Sequence, residues 1–241
     1  MEWRAGYQEW APPAGLRPAV SCLWTSVVGP GALTLVLPDG CADLIWRRGS
    51  GAFIAGPDTG PSPAVLPPGT ELVGVRLRPG GGAALGLPLS ELRDQRVDLA
   101  DVRPELAQRL PGDLPPAEAL RRLIALTAAM AAQRPPDPLV SQAARLLAAP
   151  GMRTDEIARQ LGVSERQFRR RFQDAVGYGP KTLQRVLRFR RFVDRVDGAP
   201  GRADLAVIAA EAGYADQAHL TRESVRLAGL PPSALARVRR G

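Results

Sequence analysis

The sequence predicts an α+β fold in two domains, a small N-terminal β sandwich or barrel with following helices over residues 1–137 and an all-α domain over residues 138–241. Three observations lead there. The apolar pattern changes period along the chain, a proline-dense segment interrupts it, and the net positive charge falls on one side of that segment. At 241 residues, each part is long enough to bury a core of its own.

Up to about residue 80 the chain is rich in Gly and Pro and carries short apolar or alternating runs: Leu33 to Leu37, Leu44 to Trp46, Phe53 to Ala55 and Leu72 to Leu77. Turn signals at Pro38-Asp39-Gly40, Gly56-Pro57-Asp58 and Pro67-Pro68-Gly69 separate them, as expected of strands. From Ala83 the pattern turns helical, first in short pieces to about Leu110. A helix then runs from about Pro116 to Gln133 with Leu120, Leu123, Ile124 and Thr127 on one face. Pro135-Pro136-Asp137-Pro138 resists helix and sheet alike, and the domain boundary is placed there.

Beyond Pro138 a helix is expected from about Leu139 to Ala149, stopped by Pro150-Gly151. Thr154 is expected to cap a helix over Asp155 to Leu161, whose first-turn acids suit the helix dipole. Gly162 breaks it, and Ser164 caps a second helix from Glu165 to Ala175. A helix, a short Gly-containing turn and another capped helix form a helix-turn-helix signature.

Charge placement agrees. Residues 1–137 hold 13 Arg against 14 Asp and Glu, whereas residues 138–241 hold 19 Lys and Arg against 10 acids. Coding bias explains why Lys181 is the only lysine, but not the asymmetry, which fits a C-terminal part that meets a polyanion. No stretch approaches the ~20 apolar residues that span a bilayer, and the start MEWRAGYQEW lacks signal-peptide architecture, so a cytoplasmic protein is expected. Cys22 and Cys41 are too few for a disulfide framework. A lone histidine, His219, argues against an imidazole metal site or a His-dependent catalytic set in the N-terminal half, so neither metal, cofactor nor enzymatic activity is expected.

The helix-turn-helix layout occurs twice. An offset of 52 pairs Phe168 with Leu220, Arg170 with Arg222, Gly177 with Gly229, Pro180 with Pro232, Leu183 with Leu235 and Arg185 with Arg237. Upstream the offset is 51, pairing Ile157-Ala158 with Ile208-Ala209 and Gly162 with Gly213; a one-residue slip in a turn is easily tolerated.

These residues carry a resemblance. DEIARQLGVSERQFRRRF with GYGP, then LAVIAAEAGYADQAHLTR with GLPP, is similar to the DNA-binding domain of the AraC family of bacterial transcription regulators. The resemblance implies a seven-helix, double helix-turn-helix domain over residues 138–241. Its first unit would lie at about 154–176, a bridging helix at about 180–197, and its second unit at about 204–228. It also implies a sequence-specific, DNA-binding transcription regulator.

In the first recognition helix, Phe168 and Phe172 share a buried face while Arg166, Arg170 and Gln173 fall on another, with Arg169 beside them. Guanidinium forks match both the guanine edge in the major groove and phosphates. The family resemblance assigns base contacts to Arg166, Arg169 and Arg170, while Arg171 is expected to point sideways to the backbone or into solvent. Ser164, Gln167 and Lys181 complete the candidate DNA-binding set of the first unit. In the second unit Asp216 can cap, Leu220 packs, and Gln217, Ala218, His219, Thr221 and Arg222 are left for the groove. His219 is read as a hydrogen-bond donor or packing residue. Ala218 replaces a larger contacting residue and Ser224 stands where the family usually buries a Phe, so this unit is expected to dock loosely or lean on phosphates. The bridging helix has an apolar stripe of Leu183, Val186, Leu187, Val193 and Val196, and Arg185, Arg188, Arg191 and Arg195 down another side, which either track phosphates or form a soluble exterior.

In the N-terminal half LPDGCADLIW (Leu37 to Trp46), AGPDT (Ala55 to Thr59) and GVRLRPGG (Gly74 to Gly81) resemble a domain fused to AraC-type regulators, a reduced relative of their cupin-like sensor domain. That implies modulation by a small molecule or partner. Candidate effector-binding residues are Trp24, Asp39, Cys41, Asp43, Trp46 and Arg76. The alternative makes Pro38-Asp39-Gly40 a plain turn, Trp46 core and Arg76 solvated; Cys41 would sense thiol reagents only with a lowered pKa. The expected partners are double-stranded DNA, a small-molecule effector and, as a candidate, RNA polymerase, with the protein a monomer or homodimer. Alternatives from other classes are a cupin-like enzyme fused to a DNA anchor and a non-specific nucleic-acid-binding protein.

Overall fold

The computed structural model describes residues 6–30, 33–149, 151–198 and 204–240. Among the described residues its N-terminal part holds eight strands: β1 Gly6–Trp10, β2 Val20–Val27, β3 Leu33–Val36, β4 Ala42–Arg47, β5 Gly51–Ala55, β6 Ser62–Val65, β7 Glu71–Leu77 and β8 Arg96–Asp98. Six form an antiparallel sheet in the order β1-β2-β7-β4-β5-β8, and β3 pairs with β6 in a second, two-stranded sheet. Strand β8 lies within a region where sequence periodicity suggests only helical pieces. It is three residues long and held by pairing to β5, which leaves no local pattern to read.

The large sheet is covered on both sides, which is why its strands read as nearly continuous apolar runs. One face carries Leu23, Leu44, Trp46, Ile54, Val73, Val75 and Leu77, buried against helix α3, Pro116–Gln133, through Leu120, Leu123 and Leu126. The other presents Cys22, Trp24, Ile45, Ala55 and Leu72 toward the small sheet. Between β8 and α3 come two short helices, α1 Leu99–Val102 and α2 Pro104–Ala107. Short 3-10 turns occupy Gly81–Leu85 and Leu89–Glu91.

Among the described residues seven helices follow: α4 Pro138–Ala148, α5 Thr154–Gln160, α6 Glu165–Val176, α7 Pro180–Gly198, α8 Leu205–Ala212, α9 Gln217–Ala228 and α10 Pro232–Arg240. They share one apolar cluster that includes Val140, Ile157, Phe168, Phe172, Phe189, Phe192, Ile208, Tyr214, Leu220 and Leu235. Asp137 starts α4, its Oδ1 accepting from the Leu139 amide at 2.9 Å. Pro150, the expected stop of this helix, lies outside the described residues. Thr154 is the first helical residue of α5 rather than its cap; Glu156 reaches back to the Arg153 amide instead. Both short turns end their helices at left-handed glycines, Gly177 after α6 and Gly229 after α9.

The bridging helix α7 departs from both expectations for its arginines. Arg185 is bound to Glu223 with Nη2 2.5 Å from Oε1, Arg188 lies 5.3 Å from the centre of the Tyr214 ring, Arg191 donates to the Ala148 and Ala212 carbonyls, and Arg195 pairs with Glu211. These side chains tie α7 to its neighbours. Phe189 and Phe192 join its buried stripe, whereas Leu187 is only half-buried.

Candidate nucleic-acid interface and effector cavity

Ser164 begins α6 with a reciprocal cap. Its Oγ accepts from the Gln167 amide at 3.3 Å, and the Gln167 Oε1 accepts from the Ser164 backbone and hydroxyl. Phe168 and Phe172 meet edge to face at 5.5 Å and fix the buried side of the helix. Arg166, Arg169, Arg170 and Gln173 are exposed and, with Glu165 and Asp174, line a shallow groove. Gln167 is partly committed to the cap. Arg171 departs from its expected place: Nε and Nη2 hold the Asp137 carboxylate at 2.9 and 2.8 Å, so it joins α6 to the segment before α4.

Helix α9 repeats the plan. Asp216 Oδ1 accepts from the His219 amide at 2.6 Å, and Gln217, Ala218 and Arg222 are exposed. The Thr221 hydroxyl donates to the Gln217 carbonyl at 2.9 Å. The half-buried His219 ring packs edge-on to Tyr214 at 5.2 Å. Ser224 is buried and donates to the Leu230 carbonyl at 2.7 Å, so a hydrogen bond holds the place of an aromatic ring. Lys181 is exposed in the first turn of α7.

In the β domain a cavity of about 470 Å³ opens between the two sheets. Trp24, Asp39, Cys41, Asp43 and Arg76 line it. Trp46 does not: strand alternation turns Asp43, Ile45 and Arg47 into the cavity and Leu44 and Trp46 toward α3, where the buried indole donates to the Pro111 carbonyl at 2.8 Å. Tyr7, Phe53, Asp58 and Arg96, absent from the candidate set, also line the cavity. Their partners come from distant strands, and a single strand's alternation carries no sign of them.

Gly74 on β7 sits beneath Trp24; a Cβ there would lie 2.3 Å from the indole ring. The Trp24 Nε1 donates to Asp43 Oδ1 at 2.6 Å, and the Arg76 Nε donates to the same oxygen at 3.2 Å. Asp39 shapes its turn by accepting from the Cys41 amide at 2.9 Å and also faces Arg76. Burial pushes the Asp43 carboxyl up to about 6, with the Arg76 charge opposing and Asp39 reinforcing the rise. Burial also raises the thiols, Cys22 to about 12 and Cys41 well above its ordinary value, so neither is a ready thiolate. Across the cavity Arg96 grips Asp58 through Nη1 and Nη2 at 3.0 and 2.7 Å and reaches Ser62 at 3.0 Å. Among the described residues no cluster of His, Cys, Asp and Glu is arranged to hold a metal ion.

The loop from Gly56 to Ser62 has two sides. Gly56, Asp58 and Ser62 line the cavity, while Pro57 packs on Gly177 and Pro61 on Gly229. Those glycines are the C-caps of α6 and α9, equivalent positions of the repeat.

Two capped helices presenting polar side chains from matching positions beside a covered β sandwich define the class: a DNA-binding transcription regulator built on two helix-turn-helix units. Residues 157–237 match a family described as a helix-turn-helix domain, and residues 8–98 match a domain of unknown function (DUF6597). No curated protein matches the chain significantly. Among solved structures, ToxT from Vibrio cholerae at 1.65 Å is 8% identical with a TM-score of 0.50, covering 91% of this chain and 99% of its own. ToxT from Vibrio cholerae O395 bound to (E)-4-(8-methylnaphthalen-1-yl)but-3-enoic acid is 9% identical with a TM-score of 0.48, covering 97% and 99%. The former shows a shared two-domain fold. Among the described residues no helix is long and apolar enough to cross a membrane.

Proposed function

We propose that the protein regulates transcription from the cytoplasm by reading bases with α6 and bases or phosphates with α9, and that a small molecule held in the β-domain cavity adjusts that reading. The observation that carries the first part is the exposure of Arg166, Arg169 and Arg170 together on one capped helix, with Phe168 and Phe172 anchoring its opposite side. Arginine forks displayed this way suit the O6/N7 edge of guanine. Gln173 borders the same face. Gln217, Ala218 and Arg222 offer the second contact, which is weaker because Thr221 and His219 are partly engaged within the protein. Ser164 and Lys181, at the starts of α6 and α7, are the candidates for phosphate contacts. Each helix of 12 residues is about 18 Å long, so the N-terminal turns lie far from the glycine ends that touch the β domain.

The Gly56–Ser62 loop supports the second part, because a ligand that moves Asp58 moves a segment on which both reader helices rest. The reading requires no catalysis. Selecting bound sequences from a random duplex pool with the purified full-length chain tests it: a defined motif of two half-sites is expected, and equal affinity for every duplex would make the protein a non-specific binder.

A further inference from the structure

The chemistry of the cavity narrows what it can hold. Arg76 alone serves three carboxylates, with Nε 3.2 Å from Asp43 and 3.4 Å from Asp39, and Nη1 3.2 Å from Glu9. On the far wall Asp58 and Arg96 neutralise each other, and Asp98 and Arg47 add one charge of each sign to the lining. The Arg76 cluster therefore carries an excess of negative charge when its acids are ionised.

Two aromatic rings stand beside it, Tyr7 and Trp24, with centroids 5.7 Å apart. Trp24 donates its only N–H to Asp43 and Tyr7 donates its hydroxyl to Glu9, so each ring is left to offer a ligand a face. An anion entering here would meet a guanidinium already committed three ways. A cation would relieve the repulsion between Asp39 and Asp43 and be attracted to the rings. Asp39 is already fixed by the Cys41 amide and Asp43 by Trp24, so little ordering is needed on binding.

We propose that the cavity selects a compact organic cation, an ammonium group carried on an aromatic or branched apolar body. The ammonium sits between Asp39 and Asp43, and the body lies against Trp24, Ile45 and Phe53. A volume of about 470 Å³ is of the size that encloses such a molecule. This deepens the reading of the cavity as an effector site and rests on it.

Isothermal titration calorimetry on the full-length chain at neutral pH, with three probes of similar shape, tests the proposal. Phenethylammonium chloride is expected to bind at one site, while sodium 3-phenylpropanoate and 2-phenylethanol bind far more weakly. Asp43→Asn keeps an acceptor for Trp24 and Asp39→Asn keeps one for the Cys41 amide; each is expected to weaken the ammonium about tenfold to a hundredfold with the fold retained by circular dichroism. Should one variant fail to fold, the other carries the test. Binding of the carboxylate or alcohol as tight as that of the ammonium overturns the charge assignment and leaves the effector cavity standing. Binding of none of the three overturns both.

Discussion

Pro57 fills the space that a side chain on Gly177 would need. A Cβ at Gly177 would lie 2.4 Å from the Pro57 Cγ and 3.0 Å from the Leu89 carbonyl oxygen, and its φ of +90° is itself unfavourable for other residues. Gly177→Ala is expected to cost roughly 2–5 kcal/mol, from backbone strain plus overpacking. Gly162→Ala, with φ +67° and nothing within 4 Å, should cost only the strain, about 1–2 kcal/mol. Urea denaturation of the two variants checks this, and equal losses would mean that the β domain does not press on the α6 end.

Arg170→Ala removes an exposed guanidinium without touching the Phe168 and Phe172 packing. At the preferred site the loss should be about 1–3 kcal/mol, with relaxed preference at one base pair. Gel-shift titration on the selected site and on a scrambled duplex decides it. An identical loss on both assigns Arg170 to phosphate.

The interdomain segment sets where a stand-alone DNA-binding fragment can begin. Asp137 both caps α4 and binds Arg171, so a fragment starting at Pro135 should fold and bind DNA. One starting at Pro138 loses the cap and should be about 1–2 kcal/mol less stable by thermal denaturation. Equal stability of the two would leave Asp137 without a structural part to play.

Asp43 gives a pH signature. Its carboxyl is raised from 3.8 to about 6 by burial and by Asp39, against the pull of Arg76 and Trp24, with Glu9 and the Cys22 and Cys41 thiols nearby. Between those values the unfolded chain has released the proton while the folded chain retains it, so this group makes stability fall as pH rises, by up to about 1.4 kcal/mol per pH unit, and flattens above about 6. The stability difference between the parent and Asp43→Asn, followed by denaturant titration from pH 4 to pH 7, should show that slope. A difference that does not change with pH would place the titration elsewhere.

Sequence reading sees furthest where structure is set locally. The ends of α3 are legible because prolines bound it, the caps at Ser164 and Asp216 because a capping side chain and its amide lie within three residues, and the glycines at 177 and 229 mark left-handed turns that few other residues adopt. Repetition of the pattern made the two units visible together. What escaped depends on distant partners. Arg185 and Arg191 look like a solvated stripe until Glu223 and the Ala148 carbonyl are brought to them. Trp46 reads as either cavity or core because its strand is apolar on both faces, and only Asp43 and Arg47, which share the other parity, mark the cavity side and leave Trp46 to the core. The carboxylates around Arg76 come from β1, the turn before β4, and β4 itself, and only the assembled sheet unites them.

A missing methyl group sets the depth of the cavity. With glycine at position 74, the central strand yields its side-chain volume to the indole of Trp24, which can then lie flat as the floor of the chamber. Alanine at that position would lift the ring off the sheet and into the cavity, so the smallest substitution available to the gene would stopper the chamber with the protein's own indole.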